Sequence, residues 1–142
     1  MFGLMLVTHG GLAEEFLKAA ANILGEDQTR AVPLSIEWNL ESTRGKDLIR
    51  RKLKEIQREN DQVLILTDLF GGTPTNLSMT FFEPGKVEIL TGTNLPMFIK
   101  ALMLMKGDMP LEELVATLKA KGQGAIVAVS EVMNHSDRNL GP

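Results

Sequence analysis

Short apolar runs alternate along the chain with longer segments whose apolar residues recur at the helical period. A short run without polar alternation is typical of a strand buried on both faces of a sheet. The runs predict strands at residues 2–8, 31–36, 62–67, 86–91 and 125–130. Pro33 cannot donate a ladder hydrogen bond, so the second strand is predicted at an edge of the sheet.

The segments between these runs have the spacing of helices that are apolar on one side. They predict helices at residues 12–24, 42–59, 76–82, 96–105 and 111–121. Gly25 ends the first, and Thr73 followed by Pro74 predicts a capping residue and a first helical position for the third. The alternation indicates an α/β fold with an open, mainly parallel sheet and helices on both faces. A length of 142 residues predicts one domain, 1–142, whose last residues, 134–142, form a polar tail.

Composition and charge exclude several classes of function. The chain has 44% hydrophobic and 23% charged residues, which is the balance of a soluble globular protein, and it has no cysteine for a disulfide or a thiol nucleophile. A net charge of −3 and a single Trp give no basic, aromatic-rich face for nucleic acid. The first apolar run is too short to span a membrane and lacks a basic leader, so we expect a cytoplasmic protein without membrane insertion.

Two residues whose side chains could take part in catalysis lie at the ends of predicted buried strands. His9 ends the first apolar run and Asp68 follows the third, and in a parallel sheet such ends meet at one edge. A carboxylate that accepts a hydrogen bond from one ring nitrogen leaves the other nitrogen free to attack. Each residue also has a purely structural interpretation, His9 as a core or capping histidine and Asp68 as a turn cap. Their predicted proximity favours a nucleophilic histidine with an orienting carboxylate.

Loops around this pair predict the rest of a site. Gly10, Gly71 and Gly72 let backbone approach a ligand closely, and Thr73 leads into a helix whose free amide groups favour an anion. Thr8, Asn76 and Asn94 are the predicted supporting residues. Taken alone, Gly-Gly-Thr-Pro also fits a plain turn and helix cap. His135 lies in the polar tail, where we expect a solvent-exposed histidine without a role in the site.

Three separated motifs carry a family resemblance. They are Val7-Thr8-His9-Gly10, the stretch Asp68-Leu69-Phe70-Gly71-Gly72-Thr73-Pro74-Thr75-Asn76, and Gly92-Thr93-Asn94-Leu95-Pro96-Met97. Together they resemble the enzyme IIA component of the mannose-class bacterial phosphotransferase system (PTS).

The resemblance implies a phosphotransferase component with a phosphohistidine intermediate. His9 matches the phosphorylated histidine, Asp68 the carboxylate that orients it, and Thr73 a hydroxyl near the phosphoryl group. The implied donor is phospho-HPr and the implied acceptor a IIB protein that serves a sugar permease, with no metal or cofactor. The family forms a homodimer in which a final strand crosses to the other subunit and pairs antiparallel, which makes residues 125–130 the candidate for that exchange.

Other functions remain open from the sequence. One is a regulatory module in which phosphorylation of His9 controls a protein partner without sugar transport. Another is a phosphoryl donor to dihydroxyacetone kinase that uses the same histidine. A third is a small-molecule-binding α/β domain with no covalent chemistry.

Overall fold

The computed structural model describes residues 1–139, apart from the side chains of Gln28 and of residues 135–139. In this part of the chain, strands alternate with helices as far as the fourth strand, and helices follow from there. In chain order the elements are β1 (Gly3–His9), α1 (Leu12–Leu24), β2 (Val32–Ile36), α2 (Ser42–Gln57), β3 (Val63–Thr67), α3 (Thr73–Met79), β4 (Val87–Leu90), α4 (Leu95–Leu104), α5 (Leu111–Gly124) and α6 (Val129–Asn139).

The four described strands form one parallel sheet in the order β2-β1-β3-β4. The interior strands β1 and β3 are buried along almost their whole length, as their continuous apolar runs predict. Strand β2, which contains Pro33, lies at an edge, so that prediction is confirmed. From β1 the chain goes first to β2 on one side and later to β3 on the other. The strand order therefore reverses between β1 and β3, where ligands bind in open α/β sheets.

Helices cover both faces of the sheet, as the sequence predicts. Successive strand residues point to opposite faces, so Leu4 and Leu6 of β1 pack with α1, α4 and α5. Met5 and Val7 of the same strand pack with α2 and α3 on the other face. The two apolar clusters hold the strands in a fixed register and thereby fix the positions of the loops at their carboxyl ends.

Helix ends follow the sequence signals at α1 but not at α3. Gly25 ends α1 with φ +99°, and its N–H donates to the Ala21 carbonyl at 2.9 Å. At α3 the capping position is Gly72, and Thr73 is already helical, so the prediction of Thr73 as the capping residue is wrong. The helix also ends at Met79, earlier than predicted, because the following amides bond three residues back and tighten the turn.

The prediction of a fifth strand at residues 125–130 is wrong for the described chain. Helix α5 continues through Gly124, and a new helix, α6, begins at Val129. A short apolar run does not distinguish strand from helix by periodicity alone, and no described strand pairs with this segment. Within it Ile126 and Val127 are exposed. Of the predicted polar tail, residues 134–139 belong to α6, and residues 140–142 lie outside the described residues.

Among the described residues, no helix is both long enough and apolar enough to cross a membrane.

Candidate functional site

The sheet brings His9 and Asp68 together at the reversal of strand order. His9 is the last residue of β1, and Asp68 directly follows β3. The two strands are paired, with Val7 opposite Thr67, so the residues that leave their carboxyl ends are neighbours. The predicted proximity of the histidine and the carboxylate is therefore present in the structure.

Asp68 holds His9 through two hydrogen bonds to one carboxylate oxygen. Oδ2 accepts the backbone N–H of His9 at 3.0 Å and lies 2.8 Å from its ring nitrogen Nδ1. Because a carboxylate oxygen accepts, the neutral form of the imidazole carries its proton on Nδ1 and keeps a lone pair on Nε2. The other oxygen, Oδ1, is buried and has no hydrogen-bond partner among the described residues. Asp68 thus directs its hydrogen bonds to His9 alone.

The free edge of the imidazole faces Gly72. A Cβ atom at residue 72 would lie 2.5 Å from Cε1 of His9 and 3.1 Å from Nε2. The backbone at Gly72 has φ −84°, so any residue type fits its conformation, and the requirement for glycine is one of space. The absence of a side chain here leaves Nε2 open to a reacting group.

Trp38 is the site residue that the sequence analysis missed. Its ring stacks on the imidazole of His9 with the centroids 5.1 Å apart and the planes inclined by 26°. It follows β2, whose last residue, Ile36, lies opposite His9 in the sheet. The sequence could have indicated Trp38, because it follows the predicted strand that became β2, and the carboxyl end of β2 lies at the same edge of the sheet as His9 and Asp68.

These residues line an open groove of about 650 Å³. Its walls are formed by the loops after three strands, and its lining comprises His9, Gly10, Gly11, Leu12, Trp38, Asp68 and Leu69. Three of the lining side chains, Leu12, Trp38 and Leu69, are apolar and exposed, and Phe70, the next residue along the chain, is exposed as well. A wide groove with an apolar rim is better suited to another protein than to a small ligand, which binds in enclosed pockets.

Buried hydroxyl groups hold the loops in place from below. Thr8 Oγ1 accepts the N–H of Ala13 at 2.7 Å, which ties the start of α1 to the end of β1. Thr75 Oγ1 donates to the Leu69 carbonyl at 2.6 Å and lies 2.8 Å from Thr67 Oγ1. Thr8 thus connects the start of α1 to the strand that carries His9.

The other predicted residues are distributed over two regions. Gly10 lines the groove, whereas Gly71, with φ +86°, and the exposed Thr73 lie in the loop that carries Gly72. The Asn76 side chain donates weakly, at 3.5 Å, to the Gly71 carbonyl and so braces that loop.

Asn94 acts elsewhere in the structure. Its Oδ1 accepts the N–H of Met97 at 3.0 Å, and its Nδ2 donates to the Gly122 carbonyl at 2.9 Å. It caps α4 and ties it to α5, beside a separate cavity of about 460 Å³. Its hydrogen bonds support the fold and do not reach His9. The side chain of His135 lies outside the described residues.

The comparisons with known proteins agree with this geometry. A family model described as the PTS system fructose IIA component matches residues 3–119. The chain therefore belongs to the mannose-class enzyme IIA family of the phosphotransferase system. It is 30% identical over 133 residues to the PTS system fructose-specific EIIA component of Bacillus subtilis, covering 92% of this chain and 88% of that protein.

Two further relatives extend the comparison. The mannose-specific EIIAB component of Escherichia coli is 28% identical over 131 residues, which make up 89% of this chain but 39% of that longer protein. The solved mannose/sorbose-specific IIA subunit from Enterococcus faecalis superimposes with a TM-score of 0.79 at 32% identity, covering 89% of this chain and 92% of that one. The family that the three motifs predict and the parallel α/β fold that the alternation of strands and helices predicts are thus confirmed.

Proposed function

We propose that this chain is a phosphohistidine carrier: Nε2 of His9 accepts a phosphoryl group from phospho-HPr and passes it to a IIB component. The observation that carries the proposal is the pair of hydrogen bonds from His9 to Asp68 Oδ2, at 3.0 and 2.8 Å. They orient the ring and leave Nε2 on the side opened by Gly72.

The transfer requires little covalent chemistry from the protein. The lone pair of Nε2 forms a bond to phosphorus while the bond from phosphorus to the donor histidine breaks and its electron pair returns to the donor ring. As this happens the His9 ring becomes positively charged, and the carboxylate of Asp68 stabilises that charge through the Nδ1–H bond. Passing the group to IIB reverses the sequence. Positioning and charge stabilisation therefore account for most of the catalysis.

The phosphoryl group would lie beside the loop that carries Gly71, Gly72 and Thr73, with Gly10 on the other side of the groove. Gly72 supports this part of the proposal, because a side chain there would fill the space next to Nε2. Backbone amides and the exposed Thr73 hydroxyl are the donors that we assign to the phosphoryl oxygens.

Both partners would dock over the same groove, in the cytoplasm. The exposed apolar side chains of Leu12, Trp38 and Leu69, which line the groove, offer contact area around the histidine, and the exposed Phe70 follows Leu69 in the same loop. A single face for donor and acceptor means that HPr and IIB exclude each other, as a carrier that alternates between them requires.

We further propose that the chain is a homodimer. The support is the C-terminal segment, which exposes Ile126, Val127, Val129, Val132 and Met133. Val129, Val132 and Met133 follow helical spacing on one side of α6. A contiguous apolar stripe of this kind is stabilised when a partner covers it.

Labelling with phosphoenolpyruvate tests the proposal. Incubation with enzyme I, HPr and ³²P-phosphoenolpyruvate should give an acid-labile, alkali-stable label that His9→Ala abolishes and His135→Ala retains. Adding a IIB protein should then remove the label, whereas a regulatory module would keep it. Absence of label, or its loss in His135→Ala, would contradict the proposal.

A further inference from the structure

Trp38 occupies an unusual place for its residue type. It is the only tryptophan in the chain, and 76% of its surface is exposed. Exposing so large an apolar ring is unfavourable unless one of its faces is used. Here the ring lies against the imidazole of His9 with the two planes nearly parallel.

The surrounding backbone favours this stacking. Gly10, directly after His9, has φ +49°, and a Cβ atom there would lie 3.3 Å from Nε1 of Trp38. The N–H of Gly10 donates to the Ile36 carbonyl at 2.9 Å, which ties the loop that carries Trp38 to the end of β1. The indole thus lies over a position where a larger residue would crowd it.

We propose that Trp38 is a positioning residue that holds the His9 ring and protects its phosphorylated form from hydrolysis. This inference rests on the proposed phosphorylation of His9. With Asp68 at Nδ1 and Gly72 beside Cε1, the indole adds a third constraint by covering one face of the ring. The Nδ1 edge and one face of the ring are then covered, and Nε2 stays open to a reacting group.

The stacking also stabilises the charge of the phosphorylated ring. An imidazole that carries phosphorus on Nε2 and a proton on Nδ1 is positively charged, and the face of an indole attracts cations. In hydrolysis, a water oxygen bonds to phosphorus, the P–Nε2 bond breaks, and its electron pair neutralises the ring as dihydrogen phosphate leaves. Hydrolysis therefore loses the attraction between the charged ring and Trp38. A contact worth about 0.5–1 kcal/mol at an exposed site corresponds to a roughly two- to fivefold change in rate.

The test measures the lifetime of the phosphorylated protein without partner proteins. Wild type, Trp38→Ala, Trp38→Phe and the control Phe82→Ala are phosphorylated with phosphoramidate, and loss of the ³¹P signal is followed after the reagent is removed. Phe82 is an exposed aromatic residue three positions after the end of α3 and does not line the groove. We expect Trp38→Ala to shorten the half-life two- to fivefold, Trp38→Phe to restore most of it, and Phe82→Ala to match wild type.

A spectroscopic measurement complements the lifetimes. Because Trp38 is the only tryptophan in the sequence, the tryptophan fluorescence of the protein comes from this indole alone. His9→Ala and phosphorylation of His9 should each change the fluorescence emission, since both alter the ring that stacks on the indole. A wild-type half-life in Trp38→Ala, or an emission spectrum insensitive to His9→Ala, would overturn the inference. If no variant accepts phosphorus on His9, the proposed function fails instead, and the two failures are thereby distinguished.

Discussion

Replacing Asp68 by Asn tests the mechanism with the smallest change of shape. The amide is the same size as the carboxylate, and its oxygen can still accept the His9 backbone N–H that Oδ2 accepts at 3.0 Å. What the variant loses is the negative charge next to Nδ1. In the opposite orientation its NH₂ group takes the Oδ2 position and donates to Nδ1, which moves the ring proton to Nε2, where it blocks attack, and leaves the His9 backbone N–H without its acceptor.

The size of the effect follows from the two hydrogen bonds. A hydrogen bond to a charged group contributes about 1.5–3 kcal/mol, against about 0.5–1.5 kcal/mol for a neutral one. Replacing the charge-assisted bond to a cationic ring by a neutral one therefore costs about 1–1.5 kcal/mol, which slows transfer by roughly five- to tenfold. The orientation that places the NH₂ group on Nδ1 adds the wrong tautomer and an unpaired backbone N–H, and we expect a total loss of about 10²- to 10⁴-fold in rate.

The assay is single-turnover phosphorylation by phospho-HPr, measured alongside thermal unfolding. Asp47→Asn is the matched control, because Asp47 is an exposed carboxylate paired with Arg50 on α2, outside the groove. We expect Asp47→Asn to transfer at the wild-type rate and Asp68→Asn to remain folded. A stable Asp68→Asn protein with normal transfer would refute the orienting role, and an unfolded one would show that Asp68 acts mainly as a structural cap.

Three further predictions concern the space beside the ring, the distant loop and the assembly. Gly72→Ala should slow single-turnover phosphorylation at least tenfold, because the new Cβ would lie 2.5 Å from Cε1 of His9, while Gly124→Ala, with nothing within 4 Å, should transfer normally. Asn94→Ala should lower the free energy of unfolding in urea by about 1 kcal/mol through loss of a helix cap, yet leave the label on His9 intact. Light scattering should show a dimer at micromolar concentration, and truncation before residue 126 should shift it to monomer; a monomeric full-length protein would contradict the proposed dimer.

The sequence was informative where local pattern and burial coincide. Strands β1 and β3 are buried on both faces and read as continuous apolar runs, so their ends and the residues that follow, His9 and Asp68, were predictable. Pro33 likewise located the edge strand. These features depend on burial of a strand on both faces and on the missing N–H of proline, and both can be seen directly in the sequence.

The features that the sequence analysis did not predict depend on tertiary contacts. Residues 125–130 are short and apolar, and whether such a segment forms a strand is decided by the presence of a pairing edge. Trp38 follows an edge strand, and its stacking on His9 arises from the lateral order of β2 and β1 in the sheet. Asn94 resembles a loop residue of the site, but its hydrogen bonds to Met97 and Gly122 assign it to the support of α4.

The nitrogen of His9 that bears phosphorus tests the central claim most directly. The ¹⁵N-labelled protein is phosphorylated, and long-range ¹H–¹⁵N correlation spectra of the imidazole are recorded together with the ³¹P spectrum. Since Nδ1 lies 2.8 Å from Asp68 Oδ2, we predict phosphorus on Nε2 and a proton on Nδ1. Phosphorus on Nδ1 of His9, or on His135, would contradict the assignment of Nε2 as the nucleophile.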